Sequence, residues 1–357
     1  MEYPSCQHIE QYLVPGKRCH LVGIGGVSMR PLGLVLRSMG MEITGSDMNA
    51  SVATEELQRS GITVYIGHRE ENIEGADCVI RTAAAHNDNP EIAAARAAGI
   101  PIFERAQAWG HLMRSYKNAI CVAGTHGKTT TTSVIAEILK AAGKTVHLGG
   151  NIGRPLLPEI RDVKPEDVAV VELSSFQLIS MRRSPNVAVI TNLSPNHLDV
   201  HKDMDEYVNA KKNVLLHQNA FGRTVLNADN ALTAACAADT RGMTYMFSRR
   251  EKTNGAWCSA DGKIYFGDEY IMEESDIRIP GKHNVENYLA AISAVWGDVS
   301  KEVIRTVAKE FNGVEHRMVL RDEIGRDDQV VPGLYSEHGG VFVACKIGHR
   351  LHGEVVG

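Results

Sequence analysis

Ala119-Ile-Cys-Val-Ala-Gly-Thr-His-Gly-Lys-Thr-Thr-Thr-Thr132 decides the fold. Its first five residues have the character of a buried strand, and Val134, Ile135, Ile138 and Leu139 then recur at helical spacing. Between them lies Gly124-Thr125-His126-Gly127-Lys128-Thr129-Thr130. A glycine loop that joins a strand to a helix offers backbone N–H groups and a helix N-terminus to phosphates. Lys128 supplies charge there, and the Thr129 hydroxyl can ligate magnesium. The loop departs from the general P-loop pattern, whose first glycine would stand at position 122, where this chain has Val122. A turn that merely connected two elements would need neither the lysine nor the hydroxyls.

Downstream, two apolar runs end in polar segments, which is where ligands bind in parallel α/β sheets. Val168-Ala-Val-Val171 leads into Glu172-Leu-Ser-Ser-Phe-Gln-Leu178, and Val187-Ala-Val-Ile190 leads into Thr191-Asn-Leu-Ser-Pro-Asn-His-Leu-Asp199. Glu172, Asn192, His197 and Asp199 are thereby expected at the sheet edge that carries Lys128. Each residue alone has a bland reading: a solvated strand-end glutamate, or a structural histidine with His201 two positions away. Their convergence on one edge is what points to phosphate and metal chemistry.

Upstream, Cys19-His-Leu-Val-Gly-Ile-Gly-Gly-Val-Ser-Met29 is a second strand entering glycines, followed by a helical stretch and an apolar run that ends in Gly45-Ser-Asp47. This β-turn-α-β unit and the short runs at 64–66, 78–80 and 100–103 predict a small parallel α/β sheet. Gly23, Gly25 and Gly26 let a backbone approach a diphosphate, Ser28 and Met29 open the helix, and Asp47 stands after the second strand. A lone G-x-G-G also suits an NAD site or a plain turn. The expected organisation is a Rossmann-like domain over 1–116, a P-loop-type ATPase domain over 117–317, and a short atypical tail over 318–357 with one strand at 341–345.

Composition narrows the function. The 357 residues are 43% hydrophobic and 23% charged, so disorder is excluded and two folded cores are the natural expectation. Thirty-eight basic against 43 acidic residues give a net charge of -5, which argues against a general nucleic-acid binder. No apolar run reaches membrane-spanning length and no secretory signal opens the chain, so a cytoplasmic protein is expected. The seven cysteines lack C-x-x-C spacing and read as reduced core residues, not as a disulfide framework or zinc site.

Together G-T-H-G-K-T-T (124–130), E-L-S-S-F-Q-L (172–178) and T-N-L-S-P-N-H-L-D (191–199) resemble the Mur ligases of peptidoglycan synthesis. The resemblance continues through Tyr207-Val-Asn-Ala-Lys211, Asn227-Ala-Asp-Asn230, Gly281-Lys-His-Asn-Val-Glu-Asn287 and Gly313-Val-Glu-His-Arg317, in the family's order. It implies an ATP- and Mg2+-dependent ligase that phosphorylates a UDP-linked carboxylate and lets an amino acid displace the phosphate. Glu172 and His197 would hold one metal, a carbamylated Lys211 the other, and Thr129 the nucleotide's magnesium. Asn284 and Asn287 would lie on the adenine side, and Arg317 against nucleotide phosphate.

Gly23, Gly25, Gly26, Ser28, Met29, Asp47 and Asn151 would face the UDP substrate. The central stretches, with Gly150-Asn-Ile-Gly153, are most similar to the branch that adds D-glutamate to UDP-N-acetylmuramoyl-L-alanine. The front end, with Glu104-Arg105, is closer to the branch that adds L-alanine to UDP-N-acetylmuramate.

The family's third domain, which closes over ATP and receives the amino acid, is expected to be absent, with activity impaired or reduced to nucleotide binding. Gln329-Val-Val-Pro-Gly-Leu-Tyr-Ser336 stands where the family has W-Y-N-D-S-I-A. Codons for these residues, read one base later, can encode Lys-Trp-Tyr-Gln-Asp-Ser, so a frameshift near Arg326 would account for the tail. A P-loop kinase acting on a small metabolite is the remaining alternative.

Overall fold

The computed structural model describes residues 8–82, 84–112, 118–150, 164–195 and 201–313, with the backbone of two short strands at 345–347 and 350–352. The chain divides into two units, Met1–Val314 and Glu315–Gly357.

In the first unit, β1 (Arg18–Val22), β2 (Glu42–Asp47), β3 (Thr63–Ile66), β4 (Cys78–Arg81) and β5 (Ile102–Glu104) form an all-parallel sheet in the order β3-β2-β1-β4-β5. The helices α1 (Met29–Ser38), α2 (Val52–Arg59), α3 (Pro90–Ala97) and α4 (Arg105–Leu112) connect or follow its strands. Each has a local cause. Ser51 caps α2 with a reciprocal bond to Thr54, and Asn89 caps α3 just ahead of Pro90 at a position where a missing N–H costs nothing.

A second parallel sheet contains β6 (Asn118–Ala123), β7 (Val146–Gly150), β8 (Val168–Glu172), β9 (Val187–Ile190), β10 (Arg223–Asn227) and β11 (Met243–Phe247), in the order β11-β10-β9-β6-β8-β7. Between its strands run α5 (Lys128–Ala141), α6 (Ser175–Leu178), α7 (Met204–Leu216) and α8 (Ala231–Ala235). With β6 central, the chain moves to β8 on one side and β9 on the other. The loop after β6 therefore sits at a topological switch point, where α/β sheets leave a crevice.

The stretches read as strands and helices in the first sheet and around the glycine loop form the expected elements. A small antiparallel sheet does not follow from that reading: β12 (Ala256–Cys258), β13 (Lys263–Phe266) and β14 (Glu269–Glu273) are joined by tight turns at Asp261-Gly262 and Gly267-Asp268. The D-G pair between two short apolar stretches, Ala256-Trp-Cys258 and Ile264-Tyr-Phe266, was a legible hairpin signal. Two helices, α9 (Lys282–Val295) and α10 (Lys301–Glu310), complete the unit. In the second unit, β15 (Cys345–Ile347) pairs with β16 (Arg350–His352). The strand expected at 341–345 thus overlaps the described residues only at Cys345.

Helix α9 is the keystone of the second sheet's packing. Every residue from Tyr288 to Val295 is buried, and its Leu289, Ile292 and Val295 join Val134, Ile135 and Ile138 of α5 in one apolar cluster. Its last turn is closed by Arg223, whose Nη1 donates to the Ala294 carbonyl at 2.7 Å. The described cysteines Cys19, Cys78, Cys121, Cys236 and Cys258 are free and buried, as small core residues. Among the described residues no helix is long and apolar enough to cross a membrane.

The first sheet contains a buried polar cluster that hydrophobic patterning does not reveal. Glu91 is fully buried and accepts bonds from Ser46 Oγ at 2.6 Å and Asn72 Nδ2 at 2.5 Å, with His68 Nδ1 at 2.9 Å. Burial pushes its carboxyl pKa up, but the His20 ring 3.7 Å away and the bonds from Ser46 and Asn72 outweigh this and hold it down to about 2. Ser46 in turn accepts the N–H groups of Gly23 and Ile24 on its carbonyl, at 2.8 and 2.9 Å. The buried carboxylate therefore helps fix the strand end that fixes the glycine loop.

Leu289→Ala in α9 should lower unfolding free energy by about 2–5 kcal/mol, the cost of a cavity in a close-packed core. Urea denaturation followed by far-UV circular dichroism reads this directly, and a midpoint equal to the parent's would contradict the keystone role.

Candidate active site

The loop after β6 is shaped by two glycines that no other residue could replace without a clash. Gly127 has φ +78°, and a Cβ on it would lie 2.1 Å from Asn287 Oδ1. A Cβ on Gly124 would lie 2.0 Å from Thr191 Oγ1. The loop is thus pressed between the segment after β9 and the second turn of α9.

Its backbone is pinned by that segment. Thr125 N–H donates to the Asn192 carbonyl at 2.8 Å and His126 N–H to Asn192 Oδ1 at 2.9 Å, while Asn192 Nδ2 returns a bond to the His126 carbonyl at 3.0 Å. This narrows the expected phosphate cradle: the N–H groups of Thr125 and His126 point at Asn192. The first turn of a helix leaves its N–H groups without intrahelical acceptors. Lys128, Thr129 and Thr130, which open α5, place theirs in that turn.

Four chemistry-bearing side chains meet at the loop. Thr129 Oγ1 donates to Glu172 Oε2 at 2.7 Å, and Glu172, at the end of β8, is 2% exposed. Lys211, also 2% exposed, donates from Nζ to the Gly124 carbonyl at 2.7 Å and lies 4.8 Å from the Tyr207 ring centroid. Lys128 Nζ donates to the Thr125 carbonyl at 2.9 Å. Burial above all, and then the Lys128 charge, depress the Lys211 pKa to about 7 against an opposing pull from Glu172. Lys128, Glu172 and Lys211 therefore share one field, although up to 83 positions separate them along the chain.

The lysine adjacent to Lys211 behaves differently. Lys212 pairs with Asp239 at 2.7 Å, which raises its pKa, so only the first of the two is drawn into the interior. Helix periodicity separates them: α7 turns Tyr207, Ala210 and Lys211 inward on one face.

Other expected residues have structural partners. Asn287 Oδ1 accepts from Thr131 Oγ1 at 3.2 Å and its Nδ2 donates to Asn284 Oδ1, whose own Nδ2 reaches the Pro280 carbonyl. They brace α9 against α5 beside the loop. His201 is buried against Ser175, Phe176 and Tyr207. Tyr207 was missed as a site residue; its hydroxyl lies 3.0 Å from Thr125 Oγ1. The y-x-x-x-K spacing that puts it one helical turn before Lys211 was its only signal. His197, Asp199, Asn151 and Arg317 lie outside the described residues.

At the first sheet, Gly25 N–H donates to Asp47 Oδ2 at 2.9 Å, so Asp47 holds the glycine loop directly. Gly23 has φ +80°, and Gly26 accepts the Met29 N–H on its carbonyl at 2.9 Å. Ser28 occupies the N-cap of α1 without a side-chain cap bond. Met29 was expected among the substrate-facing residues, but its side chain is 2% exposed and packs into the core under α1.

The magnesium donors can be tested on the residues present. Among the described residues no cluster of three His, Cys, Asp or Glu side chains exists. Mg2+ asks for less, since it takes one or two carboxylates and fills its octahedron with water and phosphate oxygens. Glu172 and the Thr129 hydroxyl are hard oxygen donors 2.7 Å apart at the end of the phosphate loop, and they fit. Lys211, as an amine bonded to a carbonyl, is no ligand in this form.

A parallel sheet with a glycine loop, a lysine and a buried acid at its switch point defines a phosphate-handling α/β enzyme. Residues 18–117 match the family model "Mur ligase family, catalytic domain", and residues 122–295 match "Mur ligase middle domain". The UDP-N-acetylmuramoylalanine–D-glutamate ligase of Acetivibrio thermocellus is 42% identical over 320 residues, covering 87% of this chain and 68% of that protein. Its counterpart in Clostridium tetani is 38% identical over 313 residues, covering 86% and 68%.

Among solved structures, the UDP-N-acetylmuramate-alanine ligase MurC of Thermotoga maritima aligns with a TM-score of 0.56 at 26% identity, over 84% of this chain and 70% of that one. A murein peptide ligase of Psychrobacter arcticus shares the fold with a TM-score of 0.62 at 24% identity, over 85% and 70%. The chain belongs to the Mur ligase family, and by that membership it is an ATP-dependent ligase of peptidoglycan synthesis.

Lys211 gives the site a measurable stability signature. A lysine of pKa about 7 in the folded state and 10.5 as its ordinary value binds fewer protons folded than unfolded between those pH values, so stability rises with pH across that window. Lys211→Met should remove this rise. Urea unfolding at pH 7 and pH 9 is expected to show the parent gaining stability relative to the variant, and parallel behaviour of the two proteins would contradict the buried charge.

Proposed function

We propose that this chain carries the ATP-binding and UDP-substrate-binding parts of a ligase that joins D-glutamate to UDP-N-acetylmuramoyl-L-alanine. The observation that carries the reading is the convergence of Lys128, Thr129, Glu172 and Lys211 on one loop. The relatives named above, 42% and 38% identical, are D-glutamate ligases, and they favour that branch over the L-alanine branch suggested by the first glycine loop.

The chemistry requires two anions to approach: the terminal phosphate of ATP and the carboxylate of the acceptor. The oxygen of that carboxylate attacks the terminal phosphorus, the bond to ADP breaks, and an acyl phosphate forms. The amine of D-glutamate then attacks the acyl carbon, phosphate departs and a proton is lost from nitrogen. Magnesium, when bound, would supply positive charge that offsets the repulsion between the two anions. Lys128 adds a positive charge at the loop, and the first turn of α5 directs its N–H groups at the same place. Thr129 and Glu172 would hold the ion that accompanies the nucleotide.

Lys211 has a second role in this reading. Its depressed pKa leaves much of the amine neutral near pH 7. A neutral amine adds to carbon dioxide and releases one proton, giving a carbamate whose anionic oxygens suit a further magnesium. His197 would join Glu172 at the first metal, Asn284 and Asn287 would border the adenine, and Arg317 would meet a phosphate. Gly23, Gly25, Gly26, Ser28, Asp47 and Asn151 would serve the UDP end, with Met29 acting only through the backbone that starts α1. Its setting would be the cytoplasm.

Hydroxylamine trapping separates this reading from its rivals without relying on the amino-acid step. With ATP, Mg2+ and UDP-N-acetylmuramoyl-L-alanine the chain should yield the hydroxamate and ADP, and Lys128→Ala should lower the yield at least about 100-fold, as loss of a transition-state charge contact does. UDP-N-acetylmuramate in place of the alanyl substrate should yield little. A preference for UDP-N-acetylmuramate would move the assignment to the L-alanine branch, and phosphorylation of an unrelated alcohol would indicate a kinase.

A further inference from the structure

A cavity of about 580 Å³ lies at the opposite edge of the second sheet from the phosphate loop. Gly110 of α4 and the N-terminal half of β6 (Ala119, Cys121) meet there with the segment that leads into β9 and the residue that ends α7. Gly110 packs directly on Met181: a Cβ on it would lie 3.4 Å from Met181 Cγ.

The lining has two characters. Its floor is Cys121 and Met181, both buried, with Pro185 beside them. Its rim carries the exposed side chains of Arg182, Arg183 and His217, and no carboxylate lines it among the described residues. Arg182 is oriented by two bonds from Nη1, to the carbonyls of Ile179 at 3.1 Å and Met181 at 3.0 Å. That anchoring uses one nitrogen of the guanidinium, and among the described residues its Nε and Nη2 are left for another acceptor.

His217 senses the same field. Partial desolvation by its neighbours, and then the charges of Arg182 and Arg241, push its pKa down, while a bond to the Met181 backbone works the other way. Glu10 feels the Arg183 charge: it is held below its ordinary pKa first by its own backbone and, in smaller part, by His8 and Arg183. Glu10 is not part of the lining.

A concave, cation-rimmed cleft concentrates anions. Planar guanidinium forks match phosphate oxygens in pairs, and a dianion satisfies more of these donors than a carboxylate does. The volume is several times that of a bare anion and falls in the range of small-molecule sites. We propose that this cleft is a second ligand site, distinct from the nucleotide loop, that takes a phosphate monoester with its phosphate at Arg182, Arg183 and His217 and its apolar body on Met181 and Cys121. The site includes Gly110 of the first sheet's last helix and elements of the second sheet, so its occupant touches both.

Phenyl phosphate is the probe, with inorganic phosphate and benzyl alcohol as its two halves. Calorimetry on the whole chain should show phenyl phosphate binding more tightly than either half, with affinity falling about tenfold or more in Arg183→Glu and in His217→Ala, as loss of a charge-assisted contact does. Both side chains are exposed, so the variants should keep the parent's circular dichroism and melting temperature. The His217 imidazole resonances should shift during the titration, its midpoint should rise when the dianion is bound, and Lys128→Met should change none of this.

Four results would overturn the proposal. They are no binding of phenyl phosphate at millimolar concentration, loss of binding in Lys128→Met with both rim variants unaffected, benzyl alcohol binding as well as the ester, or inorganic phosphate binding as tightly as phenyl phosphate.

Discussion

A buried lysine and a buried carboxylate grip the same glycine loop, and the rest of the site depends on that grip. Lys211 reaches the Gly124 carbonyl and Glu172 takes the Thr129 hydroxyl, each at 2.7 Å. Two charges almost fully withdrawn from water are costly unless something compensates them. Here the compensation is local: a carbonyl and an aromatic face for the lysine, a hydroxyl for the acid, and mutual attraction between them. A lysine in this balance is easily shifted between charged and neutral forms, which an ordinary surface lysine is not.

The fold supplies that arrangement through its strand order. With β6 flanked by β8 and β9, Val122 pairs with Glu172 and Ala123 with Ile190, so the segments after three strands end together. Helix α9 closes the assembly from the other face of the loop. Its Asn287 occupies the space that a side chain at position 127 would need, and its apolar length holds α5 in place. Packing and chemistry are coupled at one residue pair, Gly127 and Asn287. The first sheet repeats the idiom with a different brace, Asp47 on Gly25, backed by the buried Glu91 cluster.

Much of this was legible in the sequence because loops that bind phosphate must be built from particular residues. Glycines, a lysine and hydroxyls between a strand and a helix announce themselves, and apolar runs that end in polar residues mark sheet edges. The roles of individual polar residues were not legible. Nothing in the pattern shows that Asn192 takes the N–H groups of Thr125 and His126, or that Met29 turns into the core, since both follow from how the loop folds back. The buried Glu91 cluster was missed because it mimics an exposed polar helix start, and the antiparallel β12–β14 sheet because its strands are too short for periodicity to register, although the Asp261-Gly262 turn between two of them was legible. The D-glutamate assignment also needed the relatives, because the two halves of the chain resemble different branches.

The Lys211 amine itself gives the most direct test. Its titration, followed by heteronuclear NMR at the Nζ group, should have a midpoint near 7 in the parent chain. Lys128→Met should raise that midpoint by removing a like charge, and Glu172→Gln should lower it by removing an opposite one. A midpoint near the ordinary 10.5, unmoved by either substitution, would mean that the three groups do not share one site.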